Sequence, residues 1–286
     1  MKINEIGLGT VQFGMDYGIS NARGKIPTEE VFEILRKARE YGIEILDTAS
    51  EYGSSEQVIG EFIHQTNAEF KIVSKFARAN FGSIDESLKK LNVKSLYACL
   101  VHHFDDFAED PALWDNLCAD KKNGKIAKIG FSLYYPSELN RLFADGVKFD
   151  IVQVPYNVFD RRFEGYFRKL KDLGIEIHVR SVFLQGLFFK KPEDLDGEFS
   201  KISGKIRSLS ELALNNKSSI ASICLRSIMN NENIDKVIIG VDSLAHLDEI
   251  VEHAQLPALS SDDLKSLAAL REDNENIILP TNWRKQ

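Results

Sequence analysis

The feature that most limits how this chain can fold is an alternation. Short runs rich in Ile and Val recur along 286 residues, separated by longer segments with helical apolar spacing. The runs are Glu5 to Thr10, Ile43 to Thr48, Lys71 to Phe76, Ser95 to His102, Ala127 to Ser132, Ile151 to Tyr156, Glu176 to Val182 and Lys236 to Val241. After the first run, Thr28 to Tyr41 places Val31, Ile34, Leu35 and Ala38 on one helical face, with Thr28 as expected N-cap before Glu29 and Glu30. The next helix is expected to start at a Ser54 or Ser55 cap and to bury Val58, Ile59 and Phe62. Unbroken β-α alternation implies parallel strands joined by right-handed crossovers, and eight of them close most simply into a (β/α)8 TIM barrel. Barrels of about 250 residues are commonly one domain, so residues 1–286 are read as a single domain.

A doubly wound open sheet is the structural rival, but its dinucleotide fingerprint fails here. Gly7-Leu8-Gly9 is followed by Gln12 where the third glycine belongs. Arg23-Gly24-Lys25 is not a phosphate loop either, because Ile19 stands at its first glycine and Ile26 replaces its Ser or Thr. Residues 183–217 exceed one crossover and read as an active-site loop followed by a helix. Beyond the eighth run come helical segments from Ser243 to Ala254 and from Ser260 to about Arg271, then an irregular tail with Trp283 that could cap either face of the barrel.

The formal charge of −7 comes from 43 acidic against 36 basic residues without a polybasic run, which argues against nucleic acid or an anionic membrane surface as partner. Cys99, Cys118 and Cys224 are odd in number and widely spaced, as expected of free thiols in a cytosolic protein. Glu5 interrupts the place where a signal peptide would run apolar, and no stretch reaches the ~18 apolar residues of a membrane span. The expectation is a soluble cytoplasmic protein.

Asp47, Tyr52, Lys75 and His102 fall at or just past the ends of three of these runs, and the C-terminal ends of barrel strands are where active sites form. Each taken singly has a plain explanation as a turn or packing residue. Lys75 is the exception, since a lysine in Ile-Val-Ser-Lys-Phe must snorkel outward or lie buried beside a carboxylate, for which Asp47 is the candidate. If Tyr52 joins the pair at ~4 Å, an effective dielectric of ~20 gives an attraction of ~4 kcal/mol between ammonium and phenolate. That would draw the phenol from ~10 toward the working pH, with Asp47 offsetting part of it. His102 and His103 are neighbours on a strand, so alternation sends them to opposite faces. A metal reading of His102-His103-Phe104-Asp105-Asp106 is disfavoured on that ground, and no metal is expected.

The settings of the four residues resemble the catalytic tetrad of the aldo-keto reductases: Asp47-Thr-Ala-Ser-Glu-Tyr-Gly with Glu56 following, Val-Ser-Lys75-Phe, and Leu-Val-His102-His. Gly7-Leu8-Gly9-Thr10, Lys128-Ile129-Gly130-Phe131-Ser132 and Gln153 in Val-Gln-Val-Pro-Tyr-Asn extend the resemblance over essentially the whole chain. It implies hydride transfer between a nicotinamide nucleotide and a small carbonyl substrate. Tyr52 would be the proton donor, Lys75 and Asp47 would tune it, and His102 would orient the carbonyl.

The resemblance also implies cofactor contacts, at Thr10, Asp47, Ser132, Gln153, Arg180, Ser181, Gly186, Gly240, Asp242, His246 and Glu249. Ser132 and Gln153 would hold the nicotinamide carboxamide, Arg180 would stack on the ring, and Gln185-Gly186-Leu187 would wrap the pyrophosphate. Leu133 stands where the family usually has Asn, and Arg180 where it often has an aromatic ring. Arg180 could stack through its planar guanidinium or only pair with an acidic loop residue. The family default is NADP(H), yet no Lys or Arg occurs between Lys236 and Lys265, and Asp242 would repel a 2′-phosphate. A helix N-terminus at Ser243 and a protonated His246 could compensate. NAD(H) is thus a live alternative.

The opening Thr-Val-Gln-Phe-Gly-Met-Asp-Tyr-Gly-Ile-Ser-Asn resembles bacterial members associated with sugar or surface-polysaccharide metabolism. Gln12, Asp16 and Tyr17 would then meet a polar sugar carbonyl, or they are ordinary residues of a structured loop. Two other classes of function stay open at this point: a nucleotide-binding regulatory or redox-sensing barrel with little turnover, and a non-redox isomerase or lyase. The oligomeric state is not legible.

Overall fold

The structure, a computed structural model, describes residues 3–19, 21, 23–78 and 84–283. Eight parallel strands, β1 (Ile6–Gly9), β2 (Ile45–Asp47), β3 (Lys71–Phe76), β4 (Leu96–Val101), β5 (Ile126–Ser132), β6 (Ile151–Pro155), β7 (Glu176–Arg180) and β8 (Lys236–Gly240), close into a barrel in sequence order. β3 coincides with its apolar run and β5 begins one residue earlier, at Ile126; the other six strands are one to three residues shorter than the runs that mark them, because the ladder stops where the chain turns toward the next helix. β1 seals the barrel, with Gly9 opposite both Asp47 of β2 and Gly240 of β8.

Period-two alternation explains how the barrel interior is filled. Ile45, Val73, Ala98, Leu100, Ile151 and Ile238 form one buried apolar cluster. Two positions further along the same strands stand Asp47, Lys75, His102, Gln153 and Gly240. The apolar layer is therefore a floor, and the polar residues form the layer above it at the C-terminal end. At the opposite end a polar cluster closes the barrel. Glu176 accepts from Tyr97 OH at 2.7 Å, lies 2.6 Å from His178 Nε2, and pairs with Lys128. Burial alone would raise the Glu176 carboxyl, but these partners outweigh it and hold it down at about 2.

Around the barrel run a short turn α1 (Val11–Gly14), then α2 (Thr28–Glu40), α3 (Ser55–Thr66), α4 (Ile84–Leu91), α5 (Phe104–Glu109), α6 (Ala112–Lys122), α7 (Pro136–Ala144), α8 (Phe167–Asp172), α9 (Ser203–Asn215), α10 (Ile220–Met229) and α11 (Leu244–Gln255). α2 buries Val31, Ile34, Leu35 and Ala38 as its spacing predicts, but the N-cap position belongs to Pro27, whose carbonyl accepts from Val31 N. Ser54 caps α3 without a side-chain bond, since its hydroxyl accepts from Lys25 Nζ. Ser55 is buried and donates to the Thr10 carbonyl.

α12 (Ser261–Ala268) and α13 (Glu275–Ile278) follow α11. The segment after β7 folds into short 3-10 turns before α9. Together with the tail it forms a second core in which Val158, Phe159, Leu187 and Phe188 from the loops after β6 and β7 meet Ile277 to Leu279. Trp283 packs edge-on against Phe199, so the tail covers loops at the C-terminal end of the barrel.

Candidate active site

Asp47, Tyr52, Lys75 and His102 all line one cleft of about 650 Å3 at the C-terminal mouth. Lys75 is 1% exposed and Asp47 4%. The ammonium donates to Asp47 Oδ2 at 2.6 Å, to the Thr48 carbonyl at 3.0 Å and to Tyr52 OH at 3.4 Å. Gln153 Nε2 donates to the other Asp47 oxygen at 2.7 Å. Every polar atom of the ion pair thus has a partner, the condition under which a buried pair is tolerated.

Tyr52 reaches this pair because the loop after β2 folds tightly against α1. Gly53 adopts φ +55°, and a Cβ on Gly14 would collide with the Tyr52 carbonyl. Gly14→Ala must therefore push the phenol away from Lys75. We expect kcat to fall by about 100-fold, the cost of a displacement of about 1 Å, with cofactor affinity retained. Steady-state kinetics beside a cofactor titration would check this, and an unchanged kcat would show that the loop absorbs the methyl group.

The electrostatics correct one expectation. Burial dominates at Tyr52 and pushes its phenol above the ordinary value; Lys75 pulls it down, but Asp47 pushes it up again. The reason is the geometry: Lys75 lies 2.6 Å from the carboxylate and 3.4 Å from the phenol, so its charge is largely spent on Asp47. Lys75 is itself raised, since Asp47 and Tyr52 outweigh the desolvation that favours the neutral amine. Tyr52 is a protonated phenol at neutral pH, in the state of a proton donor.

His102 meets Tyr52 edge to face, with ring centroids 5.8 Å apart. Burial lowers its imidazole, with Lys75 and His103 acting the same way and Glu51 opposing. His102 Nδ1 lies 3.0 Å and His103 Nε2 2.9 Å from Glu51 Oε2, and the two histidine rings stack at 4.5 Å. This contradicts the opposite-face expectation. β4 ends at Val101, the ladder bond from His102 N to the Phe76 carbonyl is its last, and α5 starts at Phe104, so alternation no longer governs His103. Glu51, overlooked in the sequence, is held down at about 2, chiefly by His102 and despite some burial.

The expected cofactor residues divide. Thr10, Ser132, Arg180, Ser181, Gly186, Gly240, Asp242, His246 and Glu249 line the cleft along with Asp47, whereas Gln153 lies behind Asp47. Thr10 Oγ1 is taken up locally, donating to the Asp47 carbonyl and accepting from Ser55. Leu133 is fully buried in the main core, and its carbonyl accepts from Arg180 Nη2 at 3.3 Å. Arg180 pairs with no acid among the described residues; its guanidinium lies 4.2 Å from the Tyr134 ring centroid. Gln12 and Tyr17 line the cleft, and Gln185 Nε2 donates to Tyr17 OH at 2.8 Å. Asp16 does not line it, and Ser20 lies outside the described residues.

A nicotinamide nucleotide fits this cleft on three counts. Gln12, which lines the cleft, has a buried Oε1 without a protein donor, an acceptor that an amide N–H would satisfy. Gly9 and Gly240 present backbone without side chains to the cleft, and at Gly240 the place of a Cβ is taken by the Gln12 amide. The N-terminus of α10, with Ser219 as cap, opens into the cleft, a setting suited to phosphate. The loop after β8 also differs from its local sequence: Arg23 donates to the Asp242 carbonyl at 2.9 Å while paired with Glu30, and Asp242 Oδ1 lies 2.6 Å from His246 Nδ1. A count of basic residues near Asp242 in sequence could not find Arg23.

Comparison with known proteins agrees with this geometry. The sequence model of the Aldo/keto reductase family matches residues 5–272. The chain belongs to that family. Its relatives among the aldo-keto reductases include the L-glyceraldehyde 3-phosphate reductase of Escherichia coli O157:H7, 24% identical over 85% of this chain and 84% of that protein. The L-galactose dehydrogenase of Arabidopsis thaliana is 23% identical over 98% of this chain and 94% of that protein. Among solved structures, the holo form of the aldo-keto reductase AKR11C1 from Bacillus halodurans shares the fold with a TM-score of 0.77 at 18% identity, covering 94% of this chain and 92% of that one. This aldo-keto reductase family member is thus an oxidoreductase on a TIM barrel. Among the described residues, no helix is long and apolar enough to cross a membrane.

Proposed function

We propose that this protein reduces the carbonyl of a small polar, sugar-like substrate to an alcohol, with NAD(P)H as reductant and Tyr52 as general acid. The observation that carries the reading is the buried Asp47–Lys75–Tyr52 chain, with contacts of 2.6 and 3.4 Å, opening into a cleft that fits a nicotinamide nucleotide. The reduced nicotinamide supplies the hydride. Tyr52 delivers its proton to the alkoxide oxygen, and Lys75 compensates the phenolate that remains. His102 donates a hydrogen bond that orients the carbonyl. Ser132 and Gln153 would hold the carboxamide end of the cofactor, Arg180 would lie against the ring, and the loop through Ser181 and Gly186 would cover the pyrophosphate.

The substrate class is supported by Gln12, Tyr17 and Arg180 in the cleft and by relatives whose names specify L-glyceraldehyde 3-phosphate and L-galactose. A panel of aldoses, keto-sugars, aliphatic aldehydes and aromatic aldehydes tests it. Turnover confined to apolar aromatic aldehydes would overturn the sugar reading.

The raised phenol sets the sign of the pH dependence. An acid above its ordinary ~10 stays protonated throughout the neutral range, so reduction should hold its rate from about pH 6 to about pH 9. Alcohol oxidation needs the phenolate as acceptor and should climb across the same interval. Profiles of kcat in both directions check this, and a reduction rate that declines from neutrality upward contradicts it.

Cofactor choice follows from the loop after β8. Arg23 is engaged by Glu30, and Asp242 leaves a carboxylate beside His246. We expect NADH to be used at least as well as NADPH. Asp242→Asn should improve NADPH binding relative to NADH by about tenfold, the Coulomb effect of one charge on a phosphate of −1.5 to −2 at ~6 Å in water. Nicotinamide fluorescence titration measures both constants, and an unmoved ratio would place the 2′ position elsewhere.

A further inference from the structure

We propose that Glu51, His102 and His103 form a binding site for a divalent transition-metal ion of the zinc type, set behind the imidazole that faces the cleft. The donors are already gathered: His102 Nδ1 and His103 Nε2 lie 3.0 and 2.9 Å from Glu51 Oε2, and all three atoms fall within 4.8 Å of one another. Two ligand atoms each ~2.1 Å from zinc and ~3.0 Å from each other subtend ~90° at the ion, so an opening of a few tenths of an ångström gives tetrahedral angles. Two imidazoles and one carboxylate are a zinc donor set that leaves the fourth position to water.

Two observations show that the cluster is more than a chance hydrogen-bonded group. His102 Nδ1 is buried and, despite its 3.0 Å approach to Glu51, makes no hydrogen bond of acceptable angle. The carboxylate oxygen is thus close to the nitrogen without serving as its acceptor, as two ligands of one ion would be. The stacked rings, 15° from parallel, bring one nitrogen of each histidine to the same oxygen. Access is open from solvent, since the side chains of Glu51 and His103 are 34% and 48% exposed, while that of His102 is 12%. Ligation at Nδ1 would leave the ring proton on Nε2, so the bound ion would fix one tautomer of His102.

The test is calorimetric titration of ZnCl2 into chelator-stripped protein, beside the visible absorption of added Co2+, for the wild type, His103→Ala and Glu51→Gln. We expect one saturable equivalent in the wild type and a loss of at least about tenfold in affinity for each variant, the scale on which even the loss of a group that only hydrogen-bonds a ligand acts. His103→Ala should keep the wild-type turnover when assayed in chelator, which shows that the fold is intact. Neither titration nor spectrum needs the reductase reading, so failure of one leaves the other standing. Absence of saturable binding, or equal affinity in His103→Ala, would overturn the site, the latter by showing that zinc is held elsewhere.

Discussion

Replacing Tyr52 by Phe should lower turnover by about 10²- to 10⁴-fold, the range contributed by a positioned general acid, while the affinity for the nucleotide stays nearly unchanged. The phenol touches the ammonium of Lys75 at 3.4 Å, and its ring keeps the edge contact with His102, so Phe removes the proton donor and little else. The measurement is kcat together with cofactor dissociation constants from fluorescence. Turnover within a few-fold of the wild type would remove Tyr52 from the proposed reaction. A matching loss of cofactor affinity would instead mean that the loop after β2 had shifted.

Lys75→Met is expected to damage both stability and activity. It removes one partner of a pair that is almost wholly buried and leaves Asp47 with Gln153 as its remaining side-chain donor. Breaking such a pair from one side costs about 3–5 kcal/mol, because the orphaned charge stays buried. Urea unfolding should show that loss, and kcat should fall because nothing then compensates the Tyr52 phenolate. Adding Asp47→Asn to Lys75→Met should recover part of the stability and none of the turnover, since the buried charge is gone while the phenolate stays uncompensated. A single variant as stable as the wild type would show that water reaches Asp47.

The site was legible through its resemblance to a known family, and strand geometry explains why its residues turn inward. Asp47, Lys75 and Gln153 each stand two residues beyond an apolar residue that fills the barrel, Ile45, Val73 and Ile151. Period two therefore gives each polar residue the same inward direction as the apolar one below it. The same rule failed at His103, one residue past the point where the ladder still holds His102 through Phe76, and there the chain turns into α5. Glu51 gave no signal, because its two partners come from the end of another strand.

Alternation and apolar spacing in the sequence by themselves determined the eight-stranded barrel and the end of it where chemistry is expected, because these depend on local periodicity and on the handedness of crossovers, whereas Asp47, Tyr52, Lys75 and His102 were singled out by their resemblance to the aldo-keto reductase tetrad. Tertiary structure alone decided the state of those residues. Whether Tyr52 is driven toward phenolate or held as phenol depends on which neighbour Lys75 approaches more closely, a contest between 2.6 and 3.4 Å that burial then amplifies. The approach of Arg23 to Asp242 and the folding of the tail over the loops after β6 and β7 are likewise matters of distance between segments far apart in the chain. Electrostatic energies fall with separation and grow with desolvation, and neither quantity exists until the barrel has closed.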